Sequence, residues 1–193
     1  MPKIDNDKFY TSAIEKHGIT ARGVNWASKK NQQLRFLEIY KLLPDNLSFH
    51  SLVDAGCGFG DFYTFLEKKH SLPSNYIGLD SVTDMCSIAS SNTAQEILNL
   101  EITKEKLPSS DFYVCSGALN TLTTFETHLF IQNCFNASKK AFIFNVLHGE
   151  KKSETYNYVS TQQIYDFAEK LQVRDVVLSD AYLDNDLTIR FSR

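Results

Sequence analysis

The sequence predicts an α/β fold: a three-layer sandwich on a seven-stranded, mostly parallel sheet whose last strand runs antiparallel. Three observations carry that prediction. From residue 51 onward, short apolar runs alternate with amphipathic helical segments, the pattern of right-handed crossovers in a parallel sheet. A glycine-rich segment, Gly56-Cys57-Gly58-Phe59-Gly60, sits at the first strand-to-helix junction. The last two strand-like runs have no helix between them, so they pair as an antiparallel hairpin.

The elements follow in order. Phe36, Leu37, Tyr40 and Leu43 recur at helical spacing over residues 28–43. Pro44 stops that helix, because the residue before a proline avoids the α region. Ser51–Ala55 (SLVDA) is a buried strand that runs into the glycines. Phe62, Phe65, Leu66 and Lys69 then show the spacing of a helix starting just after Gly60. Residues 76–79 form a second strand, followed by a helix carrying Val82, Met85, Cys86 and Ala89. Residues 94–98 form a weak third strand. Residues 112–115 form a strong fourth, followed by a helix with Phe125, Leu129, Phe130 and Cys134. The most apolar strand, 141–147, belongs at the centre of a sheet buried on both faces. Ser160 and Gln163 make an S-x-x-Q capping box, opening a helix with Ile164, Phe167, Ala168 and Leu171. Residues 173–178 and 187–191 close the chain as the hairpin.

Composition narrows the function classes. The 193 residues are 42% hydrophobic and 22% charged, which is a globular profile. Twenty basic against 23 acidic side chains give a net charge of −3, and proteins that live on phosphate backbones carry a basic excess. Broad nucleic-acid binding is therefore disfavoured. No stretch approaches the ~18 apolar residues of a membrane span, and MPKIDNDKFY lacks the apolar run of a secretory signal. Cys57, Cys86, Cys115 and Cys134 are widely spaced, with no CxxC and no zinc-type pairing. They read as buried free thiols in a cytoplasmic chain without a metal site.

The chemistry lies in Val53-Asp54-Ala55-Gly56-Cys57-Gly58-Phe59-Gly60-Asp61. Glycines at a strand-to-helix turn permit positive φ and let a ligand approach the backbone. Asp80 ends the second strand, where a carboxylate can accept hydrogen bonds from both hydroxyls of a ribose. The pair of features points to a nucleoside-containing cofactor at the carboxyl ends of the strands. In the dinucleotide fingerprint G-x-G-x-x-G the third glycine would fall on Asp61. An acid there repels a pyrophosphate and suits a ligand with positive charge. The pattern disfavours NAD.

These residues resemble a family. VDAGCGFGD followed by YIGLD looks like motifs I and II of the class I, Rossmann-like S-adenosylmethionine-dependent methyltransferases. The likeness extends through DFYVCSGALN, AFIFNVL and the terminal hairpin, roughly residues 50 to 193, and GVNWASKKNQQLRF looks like the opening segment of some small bacterial members. The resemblance implies one methyltransferase domain over 1–193. In it an arm and helix (1–45) form a candidate lid, and 46–193 form the core that binds S-adenosyl-L-methionine. It implies that Gly56, Gly58 and Gly60 line the methionine portion, that Asp54 holds its ammonium, and that Asp80 binds the ribose diol. Ser81 and Met85 would lie near the adenine, with Gln95 or Glu96 at its amino group and Ile97 on the ring. Ser116, Gly117 and Asn120 would follow the fourth strand, where donor meets acceptor.

A base is needed only if the acceptor must lose a proton. His148, directly after the most apolar strand, is the candidate general base, against the alternative of a solvated loop histidine. His17, His50, His70 and His128 read as structural. Asn145 interrupts a buried strand, either for a structural hydrogen bond or for an acceptor contact. Trp26 either anchors the arm or caps the active site. Arg35 either reaches a carboxylate or, as favoured here, pairs with Glu38 on the helix surface. Tyr156, Tyr158 and Tyr182 either wall an acceptor pocket or cover the sheet edge. No [DN]-P-P-[YF] tetrapeptide follows the fourth strand and no Pro-Cys nucleophile is present, which makes the two main DNA-methylating classes poor fits. The expected activity is methyl transfer to an oxygen, nitrogen or carbon of a small molecule. A non-catalytic nucleoside-binding module and a protein or RNA methyltransferase are the alternatives.

Overall fold

The computed structural model describes residues 28–193 together with Lys8, Thr11, Ser12, Lys16 and Gly18. Eight strands are present among the described residues: β1 Ser51–Ala55, β2 Asn75–Asp80, β3 Glu96–Asn99, β4 Ser110–Cys115, β5 Ser138–His148, β6 Tyr158–Val159, β7 Asp175–Ser179 and β8 Asp186–Ser192. The helices among the described residues from 28 onward are α1 Lys29–Leu42, α2 Asp61–Lys68, α3 Thr83–Thr93, α4 Thr124–Ala137 and α5 Thr161–Lys170.

Seven strands lie in the order β3-β2-β1-β4-β5-β8-β7. β8 is antiparallel to both β5 and β7, and the remaining pairs are parallel. This is the expected three-layer sandwich. The two-residue β6, absent from the sequence reading, pairs parallel with the end of β5. The third strand begins two residues later than expected, at Glu96, because Ala94 takes a left-handed conformation that ends α3. From β1 the chain winds outward to β2 and β3, then returns to β4 on the other side. That reversal opens a crevice at the carboxyl ends of β1 and β4, the usual ligand position in such sheets.

The two faces of the sheet bury different sets. Alternate residues of the strands point to opposite sides. Leu52, Tyr76, Phe112, Val114 and Ile143 pack under α1 and α2 with Phe36, Ile39, Phe62 and Phe65. Val53, Tyr113, Cys115, Phe142 and Phe144 pack against α4 and α5 with Phe130, Cys134, Ile164 and Phe167. Three helix starts follow the capping rules. Ser28 caps α1, and the Thr123/Glu126 and Ser160/Gln163 boxes open α4 and α5. All four cysteines are free and buried.

Candidate cofactor cleft

The cleft at the switch point is built by the loop after β1. Gly56 N–H and Cys57 N–H both donate to Leu79 O, at 2.8 and 2.9 Å, tying the loop to the tip of β2. Asn92 Nδ2 on α3 holds Phe59 O at 3.0 Å from the other side. Gly56 adopts φ +77°, and a Cβ there would sit 2.5 Å from the Cβ of Ala118. No other residue fits. Gly60, also left-handed, starts α2 with its space filled by Thr93 and Ala89 of α3. It shapes the loop from behind and does not line the cleft.

Asp80 is fixed at the carboxyl end of β2. Its Oδ2 accepts from Gly58 N–H and its Oδ1 from Val82 N–H, each at 3.0 Å. These two bonds fix the orientation of the carboxylate at the cleft wall. Asp54 is 2% exposed, and Tyr76 Oη donates to its Oδ2 at 2.8 Å. Burial pushes the Asp54 carboxyl up to about 7, opposed by the Tyr76 hydrogen bond and reinforced by the charges of Asp80 and Asp61. Gln32 Nε2 donates to Asp61 Oδ2 at 2.8 Å.

The lining joins the sequence-expected Asp54, Gly56, Gly58, Asp80, Ser81, Met85, Ser116, Gly117 and Asn120 in one space of about 1130 Å³, open mouth included. Ser116 Oγ donates to Asn145 Oδ1 at 2.8 Å, and Asn145 Nδ2 donates to Thr188 Oγ1 at 2.6 Å. Asn145 is thus fully buried behind Ser116 and bonded to its own chain, outside the lining. Asn120 accepts from Leu147 N–H at 3.1 Å, and its carbonyl accepts from Asn157 N–H at 2.8 Å. Those bonds pin the segment that carries Tyr156 to the cleft wall.

Several expected residues lie elsewhere. Glu96 and Ile97 do not reach the cleft, because β3 starts at Glu96 and runs about 3.3 Å per residue toward its rim. Ile97 faces Gly78 in the adjacent strand, and the rim positions pass to Leu100, Glu101 and Ile102. His148 does not line the cleft either: Nδ1 lies 2.9 Å from Val159 O and Nε2 lies 3.4 Å from Thr161 Oγ1, tying the ring to β6 and α5. Trp26 and His17 fall outside the described residues.

Arg35 corrects the sequence reading. It does not pair with Glu38, which accepts from Lys41 Nζ at 2.6 Å and from Ser179 Oγ at 2.8 Å. Arg35 is 8% exposed, lines the cleft and reaches Asp186 at 2.6 Å. Helical periodicity missed Gln32 and Arg35 because both are polar side chains on the buried face of α1, in line with Phe36 and Ile39. Their spacing was the available signal.

No protein-family model matches the sequence, and no curated protein matches it. Solved structures do. Magnesium protoporphyrin IX methyltransferase of Synechocystis PCC 6803 with bound S-adenosylhomocysteine superposes with a TM-score of 0.75 at 13% identity, over 97% of this chain and 96% of that one. The fold is that of S-adenosylmethionine-dependent methyltransferases. A putative methyltransferase in complex with the Haloferax volcanii Trm112 methyltransferase activator gives 0.72 at 14% identity, over 96% of each chain. A possible histamine N-methyltransferase of Thermotoga maritima gives 0.62 at 17% identity, over 83% of this chain and 88% of that one. Within this methyltransferase fold, the acid-lined cleft lies at the carboxyl ends of β1, β2 and β4.

Proposed function

We infer that the protein binds S-adenosyl-L-methionine in this cleft and transfers its methyl group to an oxygen, nitrogen or carbon of a small-molecule acceptor. One observation carries the reading: a positive-φ glycine loop opens onto a cleft walled by Asp54, Asp61 and Asp80. A pyrophosphate placed there would meet Asp61 at the start of α2, where a phosphate wants bare amides. A sulfonium nucleoside with an ammonium group meets complementary charge.

When bound, the donor supplies an electrophilic methyl group on its sulfonium. Asp80, already oriented by two backbone N–H groups, accepts from the ribose hydroxyls. Gly56 and Gly58 let the methionine end approach the backbone, and Asp54 takes its ammonium. Ser81 and Met85 with Glu101 and Ile102 form the adenine side, replacing the expected Glu96 and Ile97. Ser116 and Gly117 bound the methyl position, and Asn120, Tyr156 and Leu122 wall the acceptor side. No histidine lines the cleft among the described residues, so the chain contributes by positioning the reactants and excluding water.

A small acceptor is favoured by neighbours named as a magnesium protoporphyrin IX methyltransferase and a possible histamine N-methyltransferase. Among the described residues no helix is long and apolar enough to cross a membrane. Four buried free thiols support a reducing, cytoplasmic setting. The test is incubation of metabolite, protein and RNA fractions with methyl-labelled donor. Label in the metabolite fraction is the expected result. Label only in protein or RNA would transfer the acceptor to a macromolecule, and donor binding without any labelled product would favour a binding module.

A further inference from the structure

We propose that the acceptor is a small amine, methylated on nitrogen, and that Ser116 takes a hydrogen bond from its N–H at the methyl position. The proposal rests on the donor reading above and narrows it to one class of acceptor. A hydroxyl has one proton to donate and two lone pairs that accept. Ser116 lines the cleft, but its proton points into the protein, where Oγ donates to Asn145 Oδ1 at 2.8 Å. Toward a ligand it can only accept, which selects a group that brings its own hydrogen.

Strand register builds this arrangement. Cys115 lies opposite Phe144, so Ser116 leaves β4 beside Asn145, and Asn145 lies opposite Thr188 in β8. The buried Asn145 amide has two N–H donors, and both find oxygens: Thr188 Oγ1 at 2.6 Å and Tyr182 Oη at 3.5 Å. Turned over, the amide would offer both N–H groups to Ser116 alone and leave one of them buried without an acceptor. Thr188 Oγ1 in turn donates to Tyr182 Oη at 2.8 Å, which closes the far end. Burial pushes the Tyr182 phenol up to about 12, so this row of side chains is neutral at physiological pH and holds no base.

The acceptor classes differ in whether they need a base. Among the described lining residues there is no histidine or lysine; Asp54, Asp80 and Glu101 belong to the donor side in the reading above, and Asp61 holds Gln32. An alcohol, a phenol or a carbon acid must lose a proton to become a strong nucleophile. An uncharged amine already has its lone pair. That pair forms the new N–C bond as the C–S bond breaks, and the C–S bonding pair stays on sulfur as a neutral thioether. Nitrogen carries the positive charge until an N–H proton passes to water. By holding the N–H, Ser116 turns the lone pair toward the methyl group.

The test follows the methyl group on the full chain. Calorimetry with S-adenosylmethionine comes first, and no binding would overturn the donor reading itself. With methyl-labelled donor and a small-molecule cell extract, mass spectrometry of the labelled product should place the methyl on nitrogen. Where the donor binds, a product methylated on oxygen, carbon or sulfur, or no small-molecule product at all, would overturn the amine proposal and leave donor binding standing. On the amine so identified, Ser116→Ala should lower kcat about 3- to 10-fold, the range of one neutral hydrogen bond, while donor affinity stays within about twofold. Ser116→Thr restores the hydroxyl and should recover most of the rate. Asn145→Leu releases the Ser116 proton and should lower kcat in the same way; if it does not fold, Thr188→Val loosens the same amide and takes its place. An unchanged kcat in Ser116→Ala, or equal losses in kcat and donor affinity, would overturn the role of Ser116.

Discussion

The hydroxyl of Tyr76 on β2 donates a 2.8 Å hydrogen bond to Oδ2 of Asp54 on β1, inside the protein. The two meet because Tyr76 lies opposite Leu52 in the parallel register, and Leu52 and Asp54 share one face of β1. The phenol is the protein's own partner for a carboxylate that burial would otherwise keep protonated.

Removing that partner should move a titration. In Tyr76→Phe the Asp54 carboxyl rises further, since the lost bond favours the ionised form. Donor affinity, which in the proposed function draws on the ionised carboxylate, should then reach half its plateau at a pH higher by up to about one unit. Calorimetry with S-adenosylmethionine from pH 6 to 8 reads the midpoint, and an unmoved midpoint would remove Tyr76 from donor binding.

Asp54 itself gives a stability signature. Its carboxyl stands at about 7 in the folded chain against an ordinary 3.8, so the folded state keeps a proton that the unfolded chain releases between those values. Its stabilising contribution is full below about pH 4, falls as pH rises to about 7 and is lost above it. Asp54→Asn should abolish this slope and be more stable than wild type at pH 8, by roughly 2–4 kcal/mol, while binding the donor more weakly. Urea unfolding at pH 4 and pH 8 checks both arms.

Asp80→Ala strips the acceptor of Gly58 N–H and Val82 N–H as well as the proposed ribose contact. Donor affinity should drop by ~1–3 kcal/mol or more. Unchanged affinity in a calorimetric titration would refute the ribose role.

Gly56→Ala should be tolerated poorly. A methyl group would overlap the Ala118 side chain at 2.5 Å while the backbone stays at φ +77°. The expected cost is about 1–3 kcal/mol in the urea midpoint, with weaker donor binding because the loop must shift. A variant as stable as wild type would mean that the loop has another conformation.

What the sequence made legible was local. The strand SLVDA, the helix start after Gly60, the Ser160/Gln163 box and the terminal hairpin each follow from neighbouring residues, and each appears in the structure. The meeting of Asp54, Gly56, Gly58 and Asp80 at one cleft was legible because strand tips are set by short runs. The pairs Tyr76–Asp54 and Arg35–Asp186 were hidden, the first in strand register and the second across the whole fold. Gln32 and Arg35 escaped the hydrophobic pattern because their burial depends on partners far along the chain. Glu96 and Ile97 were misplaced because β3 begins at Glu96 and the chain reaches the cleft only at Leu100, Glu101 and Ile102.

The central claim is that this cleft takes a positively charged nucleoside. Calorimetric titration of the full chain with S-adenosylmethionine and, separately, with NAD tests it most directly. Saturable binding of S-adenosylmethionine, abolished or weakened in Asp80→Ala, with none for NAD, is the predicted result. Binding of NAD without binding of S-adenosylmethionine would contradict it.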